Sequence, residues 1–276
     1  MNKNAAMSIT IIAVLTLPVL AALFANSIQP VISKPMIPAP GHLSSASTSG
    51  ITSTGSYNWA GYAVVTYGFN KVSDVKGSWT VPANTGATCN ANQEWDSAFW
   101  VGIDGFTSST VEQTGTETYC FEGTVTYDAW YEFYPASSVT ISKTIYPGDS
   151  MSAEVKWVSG TTFTLSIQDT TAGHTWSFST TGSVSGALRN SAEWIAESPF
   201  DILGELPLTP FGTAHFTSDT AVTTAHTGTI GSFTAGVYVI NGVCFPSGSP
   251  IKLQTSELSN AGADFNVEYL HPGPEG

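Results

Sequence analysis

The chain has 276 residues, with 21 Asp and Glu against 8 Lys and Arg, a net charge of −13 and a pI near 4.5. Nucleic acid and anionic membrane surfaces are poor partners for such a chain, because both are bound by neutralising phosphates with Lys and Arg. Only 11% of residues are charged, so little is lost when carboxylates protonate and little positive repulsion builds up in acid, a composition that points to acid tolerance.

In chain order, residues 1–25 open with Lys3 and continue as an apolar stretch from Ile9 to Ala25, the layout of a secretory signal. The stretch approaches the ~20 apolar residues of a membrane anchor, but Pro18 and the polar Ser8, Thr10 and Thr16 favour a cleaved signal and a secreted protein. Residues 26–55 are rich in Pro, Ser and Thr, hold no Asp or Glu and show no sustained periodicity, as in a linker or propeptide. Residues 56–276 then form one domain.

From Asn58 onward the chain is a series of short alternating runs broken by Gly, Pro, Asn and Asp: 59–67, 75–82, 139–149, 150–158, 162–170, 174–181, 213–219 and 233–240. Further runs at 237–243, 250–258 and 263–271 close the chain. Many short strands spaced by turn residues predict an all-β protein, an antiparallel β-sandwich of two large sheets. The best helical candidate, Ser198 to Leu206, reads as a loop. Of the three cysteines, Cys89 and Cys120 flank the segments of Trp100 and Gln113 and are the preferred pair, with the connectivity to Cys244 left open.

Three runs stand apart. Successive strand side chains point to opposite faces, which sorts Phe99, Val101 and Ile103 against Trp100, Gly102 and Asp104. It sorts Tyr127, Ala129, Tyr131 and Phe133 against Asp128, Trp130, Glu132 and Tyr134. In the third run Trp194 and Ala196 oppose Glu193, Ile195 and Glu197. One set suits a core. The other is a wall of acids and aromatic rings, where an ordinary solvated face would carry Thr, Ser and Lys. Such a wall predicts an exposed, concave binding groove.

Other chemistries lack their residues. No G-x-S-x-G elbow or H-E-x-x-H pair occurs, and His174, His215, His226 and His271 have no evident catalytic partner. The cysteines lack a basic setting that would form a thiolate. No metal or cofactor is implied. Aspartic-protease turns of the DTG or DSG type are absent, whereas Gln113-Thr114-Gly115 is present.

The series Asn58–Tyr62 (NWAGY), Phe99–Gly105 (FWVGIDG), Val111–Gly115 (VEQTG), Tyr127–Pro135 (YDAWYEFYP) and Ser191–Glu197 (SAEWIAE) resembles the glutamic peptidases, or eqolisins, in order and spacing. The resemblance covers residues 57–217. It implies a concanavalin A-like sandwich and an acid endopeptidase acting on polypeptides through a Gln–Glu dyad. The dyad falls on Gln113 and Glu197, the latter as general base and acid on water and the former as oxyanion stabiliser. Groove-lining positions fall on Trp59, Trp100, Asp104, Asp128, Trp130, Glu132 and Tyr134. After Glu197 the chain reads Ser198-Pro199-Phe200, where the family usually has Asp-Phe. Crowded carboxylates raise one another's pKa, so an optimum below about pH 5 is expected from reference values, for a monomer needing no cofactor. The competing readings are a lectin-like module and a glycosidase built on two carboxylates such as Glu132 and Glu197.

Overall fold

A computed structural model describes residues 43–48, 50–86, 89, 93–201, 204–245 and 247–273. The expected signal, residues 1–25, lies outside the described residues, as does most of the 26–55 segment. That segment is not wholly irregular: β1 (Leu43–Thr48) and β2 (Ile51–Ser56) pair as an antiparallel hairpin within it. There follow β3 (Trp59–Val65), β4 (Val72–Thr80), β5 (Trp95–Ile103), β6 (Val111–Phe121), β7 (Thr124–Tyr134) and β8 (Val139–Ile141). Next come β9 (Ser150–Ser159), β10 (Thr162–Asp169), β11 (Trp176–Ser183), β12 (Ser191–Glu197), β13 (Phe200–Asp201) and β14 (Gly204–Glu205). The chain closes with β15 (Thr213–Thr223), β16 (Thr227–Thr229), β17 (Val237–Val243), β18 (Ile251–Thr255) and β19 (Phe265–Tyr269). Among the described residues the helical content is two short 3-10 turns, Ile230–Ser232 and Asn260–Gly262. Ser198 to Leu206, expected as a loop, carries the β13–β14 hairpin.

The pairings form one large, nearly all-antiparallel sheet in two runs. The first run is β1-β2-β17-β3-β12-β5-β6-β7-β8 and the second is β11-β10-β9-β4-β15-β19-β18, with β16 on the side of β15. The runs join through β17–β18, and β2–β17 is parallel. Ladder bonding is thus continuous from one run to the other.

The alternation read from the sequence decides what fills the space between them. Phe99, Val101 and Ile103 of β5 and Ala192, Trp194 and Ala196 of β12 share one core with Val75 and Trp79 of β4, Val155 of β9 and Phe163, Leu165 and Ile167 of β10. Ala129 joins them, with Tyr127, Tyr131 and Phe133 packed alongside. Each large apolar side chain buried there contributes roughly 1.5–3 kcal/mol. Two indoles in this apolar space keep their N–H groups satisfied: Trp79 Nε1 donates to Thr116 Oγ1 at 2.8 Å and Trp194 Nε1 to the Lys76 carbonyl at 2.7 Å.

Cys89 and Cys120 are joined by a disulfide, as preferred from the sequence, and Cys244 is buried outside any disulfide. Bridging residues 31 apart restricts the unfolded chain by about 3–4 kcal/mol.

Gly61 shows how tightly β3 and β12 are pressed together. Its φ is +139°, and a Cβ there would lie 2.1 Å from the Trp194 carbonyl oxygen. Gly61→Ala is expected to destabilise the protein by about 1–3 kcal/mol or more. A lowered urea midpoint at pH 4 would report this, and an unchanged midpoint would contradict it.

Candidate functional site

The other face of the first run is a grid set by strand register. Its first row reads Trp59, Glu197, Ala98, Glu117 and Asp128 across β3, β12, β5, β6 and β7. The second row is Gly61, Ile195, Trp100, Gly115 and Trp130, and the third is Ala63, Glu193, Gly102, Gln113 and Glu132. Val111 and Tyr134 pair in a fourth. Eight of the nine residues singled out in the sequence therefore share one face. The period of two puts seven of them there, opposite in parity to residues packed in the core, and the register with Gly102 adds Gln113.

Glu197 is held from two sides. Trp100 Nε1 donates to Oε2 at 2.7 Å and Asn58 Nδ2 donates to Oε1 at 3.2 Å. Trp59 packs edge-on against Trp100, ring centroids 5.0 Å apart, and its indole faces the same carboxylate without closing a full hydrogen bond. Gln113 Nε2 donates to Glu132 Oε2 at 2.6 Å, directly across the β6–β7 ladder. Trp100 is the piece between these two groups. A Cβ on Gly102 would sit 2.9 Å from Trp100 Cζ3 and 3.3 Å from Gln113 Cβ, so the missing side chain makes room for the indole beside the glutamine.

Asn58, the first residue of the NWAGY motif, is a contact of Glu197 that neither strand alternation nor the resemblance marks. Asn58 sits one residue before β3, with Ser56 Oγ donating to its Oδ1 at 3.2 Å and also accepting from Trp59 N–H at 3.2 Å. The end of β2 thereby orients the side chain that reaches Glu197.

Asp104 departs from its expected place in the groove wall. Its φ is +70°, and its carboxylate accepts backbone N–H groups from Leu188, Arg189 and Asn190, each at 2.8 Å. These bonds turn it toward the connection entering β12, whose backbone it pins. The face is also not the exposed concave wall expected. Gln113, Glu132 and Trp100 are fully buried and Glu197 is 1% exposed. The physical reason is that the aromatic residues pack on one another: Trp59, Trp100, Trp130, Phe106, Val111 and Ile195 make a second apolar cluster, with Tyr134 and Tyr238 against it. Asp128 and Tyr134 remain half-buried on β7.

Burying acids in so dry a cluster raises their pKa. Burial pushes Glu197 up to about 8, opposed by hydrogen bonds from Trp100 and Asn58 and by the facing Trp59 indole. Glu132 is also pushed up to about 8 by burial, with Gln113 pulling down and the Glu197 charge pushing up. Glu112, at the start of β6, rises to about 9 through burial and the neighbouring Asp104, and burial raises Glu193 well above its ordinary value. Among the described residues the one group of metal-ligand type, Asp149, Asp169 and His174, belongs to other strands and loops.

The Peptidase A4 family pattern matches residues 57–263. Aspergillopepsin-2 of Aspergillus niger is 32% identical over 234 residues, 78% of each chain. Among solved structures, scytalido-glutamic peptidase with a peptide-based transition state analog superposes with a TM-score of 0.62 at 26% identity, over 78% of this chain and 98% of that one. Aspergilloglutamic peptidase from Aspergillus niger gives 0.54 at 30% identity, over 64% and 99%.

The raised carboxyls have a consequence for the whole molecule. A carboxyl whose folded pKa exceeds its unfolded value stabilises the fold fully below the unfolded pKa, about 4.3 for Glu, and loses that contribution as pH rises through the folded value. For Glu112, Glu132 and Glu197 the window therefore runs from that value up to about 8 or 9. The melting temperature is expected to fall steadily across it; a scan from pH 3 to 9 with a level or rising trend would disprove the assignment.

Proposed function

We propose that this chain, which belongs to the Peptidase A4 family and is a glutamic endopeptidase, cleaves polypeptides by direct attack of water, with Glu197 and Gln113 as its dyad. The observation that carries the reading is the shared face. Gln113 and Glu197 stand two strands and two rows apart, with Trp100 between them and bonded to the acid. On a flat sheet that spacing, four residues along the strands and two strands across, puts their backbones about 17 Å apart, a gap that two long side chains close only with a water and the substrate carbonyl between them. We read the two strand runs as the layers of a concanavalin A-like sandwich. The chain is read as a monomer exported by residues 1–25, with the segment before the described strands as linker or propeptide. Family membership sets aside the lectin and glycosidase readings.

In this mechanism water and substrate entering the face relieve the burial that holds Glu197 up to about 8. The carboxylate so formed takes a proton from the attacking water and delivers one to the leaving amide nitrogen, help typically worth about 10^2 to 10^4-fold. The Gln113 amide, which donates to Glu132 in this structure, is assigned to the developing oxyanion. The Glu197 charge adds to the burial that raises Glu132. The first proton leaves Glu197, which has indole and amide donors to support its charge, and Glu132 keeps the second. Tyr134 and Asp128, half-buried on β7, are the parts of this face open to a substrate, and the buried Trp59, Trp100 and Trp130 are assigned to the wall it meets behind them.

Acid preference follows from the second proton. When Glu132 ionises, two like charges occupy one buried face and Gln113 is drawn to the wrong carboxylate. Burial sets that loss near the raised value of about 8, so these two groups alone do not confine activity below pH 5. The decline in fold stability begins lower and narrows the range from above.

Three variants test the reading. Glu197→Gln is expected to abolish cleavage of denatured casein at pH 3–4. Gln113→Ala should lower kcat by about 10^2 to 10^3-fold with little change in KM. Glu132→Gln should carry activity to higher pH. Full activity of Gln113→Ala would refute the dyad, and an unmoved alkaline limb in Glu132→Gln would refute the role of the second proton.

A further inference from the structure

Behind Glu197 lies a buried polar chain that the mechanism above does not use. Ser198 follows Glu197 directly and is fully buried; its N–H donates to the Asn58 carbonyl at 2.8 Å, extending the β3–β12 ladder by one step. After Pro199 the β13–β14 hairpin brings the chain back. Phe200 pairs with Glu205, and Leu206 N–H donates to the Pro199 carbonyl at 2.9 Å. Ser198 Oγ then lies 2.9 Å from Glu205 Oε1 and 3.0 Å from the Leu206 carbonyl. The same Glu205 oxygen is ion-paired with Lys252 Nζ of β18, and both side chains are wholly buried. Room for the lysine comes from Gly273, where a Cβ would stand 2.9 Å from Lys252 Cδ.

A buried ion pair is weak grounds for stability, since apolar replacements of similar volume are often neutral or better. This chain has 8 basic residues in all, and Lys252 is 0% exposed. Its location is therefore the informative property. It grips, through Glu205 and Ser198, the residue next to the acid proposed to do the chemistry.

We propose that Lys252 is a positioning residue for the peptidase reaction: paired with Glu205 under Ser198, it fixes the backbone that aims Glu197 and sets a positive charge behind that carboxylate. The proposal rests on the reading of Glu197 as the catalytic acid and base. The departure at Ser198-Pro199 belongs to this device, because the serine hydroxyl is what reaches Glu205. The charged groups acting on Glu197 are Glu117 from β6, Glu132 from β7 and Lys252 from β18. Those near Lys252 are Glu205, Glu197 and His271, whose Nδ1 accepts the Gly273 N–H at 3.2 Å. Lys252 is thus the one cation acting on Glu197 among these groups. Burial pulls its pKa down to about 7, with Glu197 pushing it up, so it carries its charge throughout the acid range.

The double variant Glu205→Gln/Lys252→Met removes the pair without stranding a charge. It is expected to fold with a melting temperature close to that of the parent. Its kcat should drop about tenfold or more, since misaiming a catalytic group is costly, while KM changes little because Lys252 touches no substrate. Without the nearby cation Glu197 ionises less readily, so the acid limb of kcat/KM should move up by about one pH unit. Lys252→Arg, which keeps the charge, should retain the parental acid limb. A folded double variant with parental kcat and acid limb would overturn the proposal, and so would a double variant that fails to fold, since that marks a purely structural pair. Activity persisting in Glu197→Gln would instead overturn the underlying assignment of the dyad.

Discussion

Everything in the site passes through one strand. β12 is bonded on both sides, to β3 and to β5, over the whole stretch Ala192–Glu197. Because its side chains alternate, the residues that drive it into the core, Ala192, Trp194 and Ala196, are interleaved with Glu193, Ile195 and Glu197. A slip of one residue would bury the wrong set and place Trp194 among the acids. The apolar core therefore holds the register that brings Glu197 opposite Trp59 and Ala98. The bulky Trp194, with its N–H bonded to the Lys76 carbonyl of β4, makes that register stiff.

The same packing makes the opposite face dry. Carboxylates among Trp59, Trp100 and Trp130 lack the water that would favour their charged form, and they are retained through specific donors and through their protons. Glu197 receives an indole and an amide; Glu132 receives the Gln113 amide; Asp104 receives three backbone N–H groups. Fold stability and the protonation of this wall are coupled for this reason: the protons that keep its buried acids neutral also help keep it folded, and they are lost as pH rises.

Support for the face comes from segments remote in the chain. β2 orients Asn58 toward Glu197 and lies parallel to β17, while the β13–β14 hairpin and β18 place Glu205 and Lys252 behind Ser198. The functional side chains are short in number but are held by most of the first run and its junction with the second.

The pleat alone made much of this legible. A period of two separates Trp100, Glu132 and Glu197 from Phe99, Phe133 and Ala196 without any coordinates, and the motif order ties them, with Gln113, to one family. Turn residues placed the closing strands, and the flanking positions suggested Cys89 with Cys120. The sequence could not show that Asp104 turns to residues 188–190, because that depends on a left-handed backbone conformation and a distant loop. It could not show Asn58 on Glu197 or Lys252 on Glu205, since those contacts join residues 139 and 47 apart in the chain. Nor could it show that the wall is buried. Alternation tells which side a residue takes, a local property of the backbone; what packs against that side is set only when strands far apart in sequence are brought into register.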